Sequence, residues 1–255
     1  MTSESPKLPA ESTYFIMAAV QRLKAILDAA YIAPEIFTLR PDYRALLLIV
    51  DGITPEPSND MSEGMLKEAE ASAQSSLALK PVTELPHIAA WREAYKSFGA
   101  KPNKFRNSLE ALTRRAEKGL PRVNRLTDIY NAISVKHQIP LGGEDLAKYV
   151  GPPHLKRATG QEKFEVNAEG KVVSDPPEKG EAVWCDDEGV TCRRWNWRQG
   201  PRTALSDETT SALFILDALK PLSDDALEAA GAELMEALKK GCPEAVVAQR
   251  MLKAS

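Results

Sequence analysis

GVTCRRWNWRQGPRTALSDETT, residues Gly189–Thr210, gathers two of the chain's four tryptophans and four arginines around a single asparagine. Its opening β-branched residues and its alternation of polar with aromatic side chains predict a strand. On a strand, alternate side chains share a face, so Arg193, Trp195 and Trp197 would point one way and Arg194, Asn196 and Arg198 the other. The tryptophans could then pack a core or stack a base. The opposite face would offer two guanidinia and an amide to phosphate, carboxylate or carbonyl oxygens, or, in the plainer reading, would be a solvated strand with salt-bridged arginines.

This segment is one of a series. From His154 onward short alternating or β-branched runs, HLKRAT, KFEV, KVV, EAVWCD, VTCRRWNW and ALFILDAL, are separated by Glu169-Gly170, Lys179-Gly180 and Glu188-Gly189, where tight connections are needed. Before them the chain is mainly helical: an amphipathic helix to the break near Pro34, then Met61–Leu79, Glu84–Phe98, Leu109–Lys118 with Ser108 able to cap it, Thr127–His137, and a short helix Glu144–Val150. ALLLIV, Ala45–Val50, is the exception, an apolar run suited to a strand buried on both faces. Two helices, Ser223–Lys240 and Pro243–Lys253, are expected to close the chain. The expectation is an α/β domain of α+β type, with a mixed, largely antiparallel sheet covered by helices. Residues 1–16 read as a disordered tail and 17–255 as the domain, and either Met1 or Met17 could be the start.

Of 255 residues, 43% are hydrophobic and 27% charged, an ordinary globular composition with a formal net charge of -3. That balance argues against coating nucleic acid by bulk charge, yet the charge is segregated. Trp91–Arg125 carries ten Lys/Arg against three Asp/Glu, whereas Ser206–Ser255 is net acidic. A solvated set of helix faces and a phosphate-bearing partner both fit. The three cysteines, Cys185, Cys192 and Cys242, form no CxxC and suit a reducing, cytoplasmic setting; no membrane-spanning run is present in the sequence. There is no GxxxxGK[ST] and no GxGxxG opening a helix, His87, His137 and His154 make no metal-binding helix, and no nucleophile elbow is recognisable. No metal or cofactor is expected.

Three polar clusters remain: KPNKFRNS at Lys101–Ser108, DIYNAISVKHQIPLGGED at Asp128–Asp145, and RATGQEKF at Arg157–Phe164 together with RRWNWR. With SLEALTRRAEKGLPRVNRLTDIYNAISVKHQIPLGGEDLAKYVG, HLKRATGQEKF, the Asp186-Asp187 pair and SDETT at Ser206–Thr210, the chain over Trp91–Leu219 resembles the tRNA-editing B-three/B-four domain of the bacterial phenylalanyl-tRNA synthetase β subunit, and more closely its free-standing relatives. The resemblance implies residues 91–219 as an editing-domain-like core with residues 220–255 as appended C-terminal helices. It implies hydrolysis of the ester between a wrong amino acid and the terminal adenosine of a tRNA, in trans, without cofactor. Some relatives remove canavanine from arginine tRNA. Such an ester is already reactive, and a protein has mainly to hold a water near the carbonyl and stabilise the oxyanion.

Carried over by resemblance, Glu162 stands where the synthetase domain has its pocket glutamate, whereas Gly142 stands where that domain has a functional histidine. A pocket opened at Gly142-Gly143 and flanked by Glu144, Asp145, Asp186 and Glu162 would suit a cationic or polar side chain such as canavanine's. The expected catalytic residues are Glu162 and Asn196, and the substrate contacts Asn131, Ser134, Gly142, Gly143, Asp145, Asp186, Arg193 and Arg198. Lys101, Lys104, Arg106, Arg114, Arg115, Arg122 and Arg125 are expected on tRNA phosphates. The expected partner is the aminoacylated acceptor end of tRNA, with a possible transient synthetase contact and no membrane. A non-catalytic tRNA- or synthetase-binding module and a sensor of a free amino acid analogue are the alternatives.

Overall fold

The computed structural model describes residues 10–254. Helix α1 (Ala10–Ala29) leads through β1 (Tyr31–Ile32) to α2 (Pro34–Leu39), whose proline occupies the first turn, where a missing N–H costs nothing. Then come β2 (Arg44–Asp51), α3 (Asp60–Leu79), α4 (Pro86–Ser97), α5 (Ser108–Arg115) and α6 (Arg125–Lys136). The second half holds β3 (Leu141–Asp145), β4 (His154–Arg157), β5 (Glu165–Ala168), β6 (Lys171–Ser174), β7 (Ala182–Cys185), β8 (Val190–Arg193), β9 (Arg198–Gln199), β10 (Ser211–Ala218), α7 (Asp224–Gly241) and β11 (Val246–Lys253). Asparagines start three helices: Asn59 shares a capping box with Ser62, while Asn107 and Asn124 accept from the backbone N–H of Glu110 and Thr127. Asn107 therefore caps α5, and Ser108, expected as the cap, is its first helical residue.

The strands form two main sheets and a separate β5–β6 hairpin. One sheet, in the order β11-β2-β10-β3, is antiparallel throughout; the other, β1-β4-β7-β8-β9, is antiparallel except at β1–β4. This is the α+β architecture expected, with the sheet divided in two. Among the described residues no helix is long and apolar enough to cross a membrane.

Both faces of the first sheet are covered, which is why β2 and β10 read as unbroken apolar runs. Pairing sets Ile49 opposite Leu213, Leu47 opposite Ile215 and Ala45 opposite Asp217 on one face. That face packs against Leu23 and Leu27 of α1, Trp91 and Tyr95 of α4, and Leu155, Trp184 and Trp195 from the second sheet and its last hairpin. On the opposite face Leu46, Leu48, Val50, Phe214 and Leu216 meet Ile129 and Ile133 of α6 and Leu227, Leu234 and Leu238 of α7. Gly231 lets α7 lie close, because a Cβ there would stand 2.5 Å from Leu46 Cδ2. The sheet between α6/α7 and the second sheet is thus the central layer.

Four sequence expectations are corrected. Pro243–Lys253 is not a helix: its helix-forming residues pair as β11 along β2, tertiary hydrogen bonding overriding propensity. Glu144–Val150 is the end of β3 followed by a single 3₁₀ turn, Leu146–Lys148, capped by Asp145. RRWNWR is not one strand, since β8 ends at Arg193 and β9 begins at Arg198, with left-handed backbone at Arg194 (φ 46°) and Trp195 (φ 67°) between them. The alternation of faces breaks there. The expected tail of residues 1–16 lies outside the described residues through position 9 and is helical from Ala10.

Leu47→Ala, at a fully buried position in the middle of β2, should lower the unfolding free energy by about 2–5 kcal/mol. Urea denaturation followed by tryptophan fluorescence checks this, and an unchanged midpoint would contradict the packing described.

Candidate functional site

The last hairpin of the second sheet bends over the edge of the first and leaves a cavity of about 260 Å³ between them. Its floor follows from strand register. On β3, Gly142 pairs with Ile215 and Glu144 with Leu213, so Gly142 and Glu144 share the face of Ile215 and Asp217. Gly143 and Asp145 face the other way, Gly143 against the Phe214 ring. Trp184, Cys192 and Trp195 form apolar wall; Tyr130 and Asn131 of α6 and Ala111 and Leu112 of α5 close another side. Arg115, Trp197, Arg198 and Gln199 also line it, with Ser108 and Leu141. A side chain on Gly142 would intrude here, its Cβ 2.7 Å from Gln199 Nε2.

Two buried carboxylates bracket this floor. Asp217 accepts from Tyr43 Oη at 2.5 Å and from Asn196 Nδ2 at 3.2 Å, while Tyr95 Oη donates to Asn196 Oδ1 at 2.9 Å. Burial pushes the Asp217 carboxyl up to about 7, against the opposing pull of the Tyr43 and Asn196 hydrogen bonds. Glu144 is also raised by burial, offset by donors from Tyr149 and Thr203. Both donors, Tyr149 Oη and Thr203 Oγ1, use Glu144 Oε2, and Oε1 is buried without a hydrogen-bond partner. A buried acceptor left unpaired is costly, and Glu144 is among the residues that line the cavity, which makes it a candidate contact for a ligand donor. The apolar walls raise the strength of any such interaction.

The expected site residues divide sharply. Asn196, Asn131, Gly142 and Arg198 line the cavity, as does Arg115, which was expected on phosphate. Glu162 does not line it, correcting the pocket expected there. Its carboxylate instead accepts from Thr159 N, Thr159 Oγ1 and Gly160 N and pairs with Lys156, closing its own loop. Burial alone would raise it, but these donors hold it at about 2. Asp186 likewise anchors a turn, accepting from Val150 N and Gly189 N and from Arg202 through both oxygens. Asp145 accepts from Ala147 N and Thr209 Oγ1, and Ser134 Oγ donates to Ile139 O. Arg193 is buried in a two-pronged pair with Glu181 and a further pair with Asp175.

The basic set divides too. Arg125 is buried, reaching Glu56 and Thr54 O, and Arg122 bridges Glu63 and Glu70. Arg114 pairs with buried Glu110. Lys101, Lys104, Arg106 and Arg115 stay exposed. Asp217, Tyr43 and Tyr95 escaped the sequence reading; the one available signal was an acidic residue inside the apolar run ALFILDAL.

Against known proteins, the family model of the B3/4 domain matches residues 90–232, more than half of the chain. No curated protein matches. Among solved structures, an N-terminal fragment of the phenylalanyl-tRNA synthetase beta-subunit from Pyrococcus horikoshii is similar at 14% identity and a TM-score of 0.44, over 88% of this chain and 50% of that one. The chain spans about half the length of that fragment.

Asp217 makes stability depend on pH. Its folded value near 7 lies above the ordinary 3.8, so its contribution is greatest below pH 3.8 and is lost as pH rises through 7. Between about pH 4 and 7 wild type should lose stability relative to Asp217→Asn at about 1.4 kcal/mol per pH unit, with no further loss above about pH 8. Parallel urea-midpoint profiles for the two proteins would contradict this.

Proposed function

The chain belongs to the B3/4 domain family, and from that premise we propose that it hydrolyses the ester joining a wrong amino acid to the terminal adenosine of a tRNA, acting in the cytoplasm and without a cofactor. The observation that carries this reading is the cavity lined by Asp217 and by Glu144, whose carboxylate has one buried oxygen without a partner, with the exposed Arg115 and Arg198 also in its lining. Its volume of about 260 Å³ suits an amino-acid moiety rather than a nucleotide.

In this reading the amino acid lies over Gly142, where the missing side chain makes the room. Glu144 Oε1 accepts from a cationic or polar side chain, and canavanine's oxyguanidinium is the leading candidate. Asp217, close to half-ionised at neutral pH, takes a proton from the attacking water. The water oxygen bonds to the ester carbon, the bond to the ribose oxygen breaks, and the proton passes to that oxygen. Asn196, held by Tyr95 and Asp217, keeps one amide hydrogen for the carbonyl oxygen as charge develops. The exposed Arg115 and Arg198, with Lys101, Lys104 and Arg106, meet the RNA backbone. Glu162 holds its loop in this account.

Time courses on canavanyl-tRNA and arginyl-tRNA test it. Wild type should discharge the canavanyl species selectively; Asp217→Asn and Asn196→Ala should lower kcat by about 10²–10⁴-fold. Glu144→Gln, which turns the free acceptor into a donor, should erode the selectivity. Retained RNA binding with no discharge of any mischarged tRNA would instead identify a binding module.

A further inference from the structure

A second cavity, of about 290 Å³, lies on the other flank of the 193–198 hairpin. It is lined by the loop from Phe98 to Phe105, including Lys101 and Lys104, by the turn Glu178, Lys179 and Glu181, and by Arg194. Arg194 is the unusual member. Its guanidinium carbon lies over the Phe105 ring, 3.7 Å from the centroid, and over Trp197, at 4.5 Å, two rings that meet edge-on. It is 4% exposed, and its Nη1 is buried without a hydrogen-bond partner.

The carboxylates nearby do not satisfy it. Glu181 is taken by Arg193 through both oxygens, at 2.9 and 2.8 Å, and approaches Arg194 Nη2 only at 3.5 Å. Glu178 also stands at 3.5 Å, and its side chain is 80% exposed. A buried cation so weakly paired is expensive, and the chain holds it there through a left-handed backbone that non-glycine residues rarely adopt. Contact with both rings holds the guanidinium in place, and its Nη1, without a partner, is left for an oxyanion. Lys101, Lys104 and Lys179 supply further positive charge on the rim.

We infer that this cavity is a phosphate-binding subsite, and that its occupant is a phosphodiester of the RNA whose acylated end enters the first cavity. The hairpin lines both cavities, and the four steps from Arg194 to Arg198 reach at most about 14 Å. One oligonucleotide end can therefore engage both. The RNA assignment rests on the proposed function, whereas the oxyanion site rests on Arg194 alone.

The test measures binding of uncharged tRNA against salt for wild type, Arg194→Met and the surface double variant Lys101→Gln/Lys104→Gln, with melting curves to verify folding. The double variant should weaken binding about tenfold and flatten the salt dependence by one to two phosphate contacts. Arg194→Met should weaken it comparably at an unchanged number of rim charges. Inorganic phosphate should raise the melting temperature of wild type but not of Arg194→Met, and should compete with the tRNA. Folded variants that bind tRNA as wild type does, with the same salt slope, would overturn the inference; so would a phosphate-dependent melting shift with no competition. Because binding of uncharged tRNA needs no turnover, failure of the deacylase reading would show separately, as inactivity of wild type on every mischarged tRNA.

Discussion

Strand β10 is buried on both faces, and an aspartate stands in it. Asp217 is tolerated there because Tyr43 and Asn196 place donors on its two oxygens. Those contacts tie three parts of the molecule together: the central sheet, the start of β2, and the hairpin of the second sheet. Tyr95 of α4 extends the chain of hydrogen bonds by fixing the Asn196 amide. Around it, Trp195 meets Trp91 and Tyr43 edge-on, with centroids 5.3 and 4.9 Å apart, arrangements worth about 0.5–1.5 kcal/mol each beyond burial. The hairpin cannot shift without opening this cluster, so the cavity beneath it is preformed.

The same arrangement explains why the cavity is polar where it matters. Gly142 removes one side chain from the floor, and strand pleating puts Glu144 and Asp217 on either side of the gap. Glu144 is held through one oxygen and left free at the other. The asymmetry gives a site with one fixed acceptor, one carboxyl near neutrality and an oriented amide. These are the groups that the proposed hydrolysis would use.

Much of the fold was legible from periodicity. The helical spacing of residues 61–79, 84–98 and 127–137, and the apolar run ALLLIV, have counterparts in α3, α4, α6 and β2. What failed were segments decided by partners distant in sequence. β11 carries good helix formers and becomes a strand because β2 offers an open edge. Gly142-Gly143 reads as a helix stop because glycines break patterns, yet here these residues let β3 run between Gln199 and Phe214. The Arg194-Trp195 turn has no glycine to announce it. Of the site, Asn196, Gly142 and Glu144 were visible as polar or small residues in suggestive company. Glu162 and Asp186 were equally suggestive, but their carboxylates are consumed by neighbouring backbone N–H groups and cations, a local use that composition does not distinguish from catalysis.

The central claim is that the space over Gly142 receives the aminoacyl group. It is tested most directly by calorimetric titration with adenosine carrying canavanine through a non-hydrolysable 3′-amide, using wild type and Gly142→Val. Valine suits a strand, and its Cβ would meet only the end of the Gln199 side chain. The account predicts binding to wild type and a loss of about tenfold or more, equivalent to 1.4 kcal/mol, in a variant that melts at the same temperature. Equal affinity for the two folded proteins would contradict it.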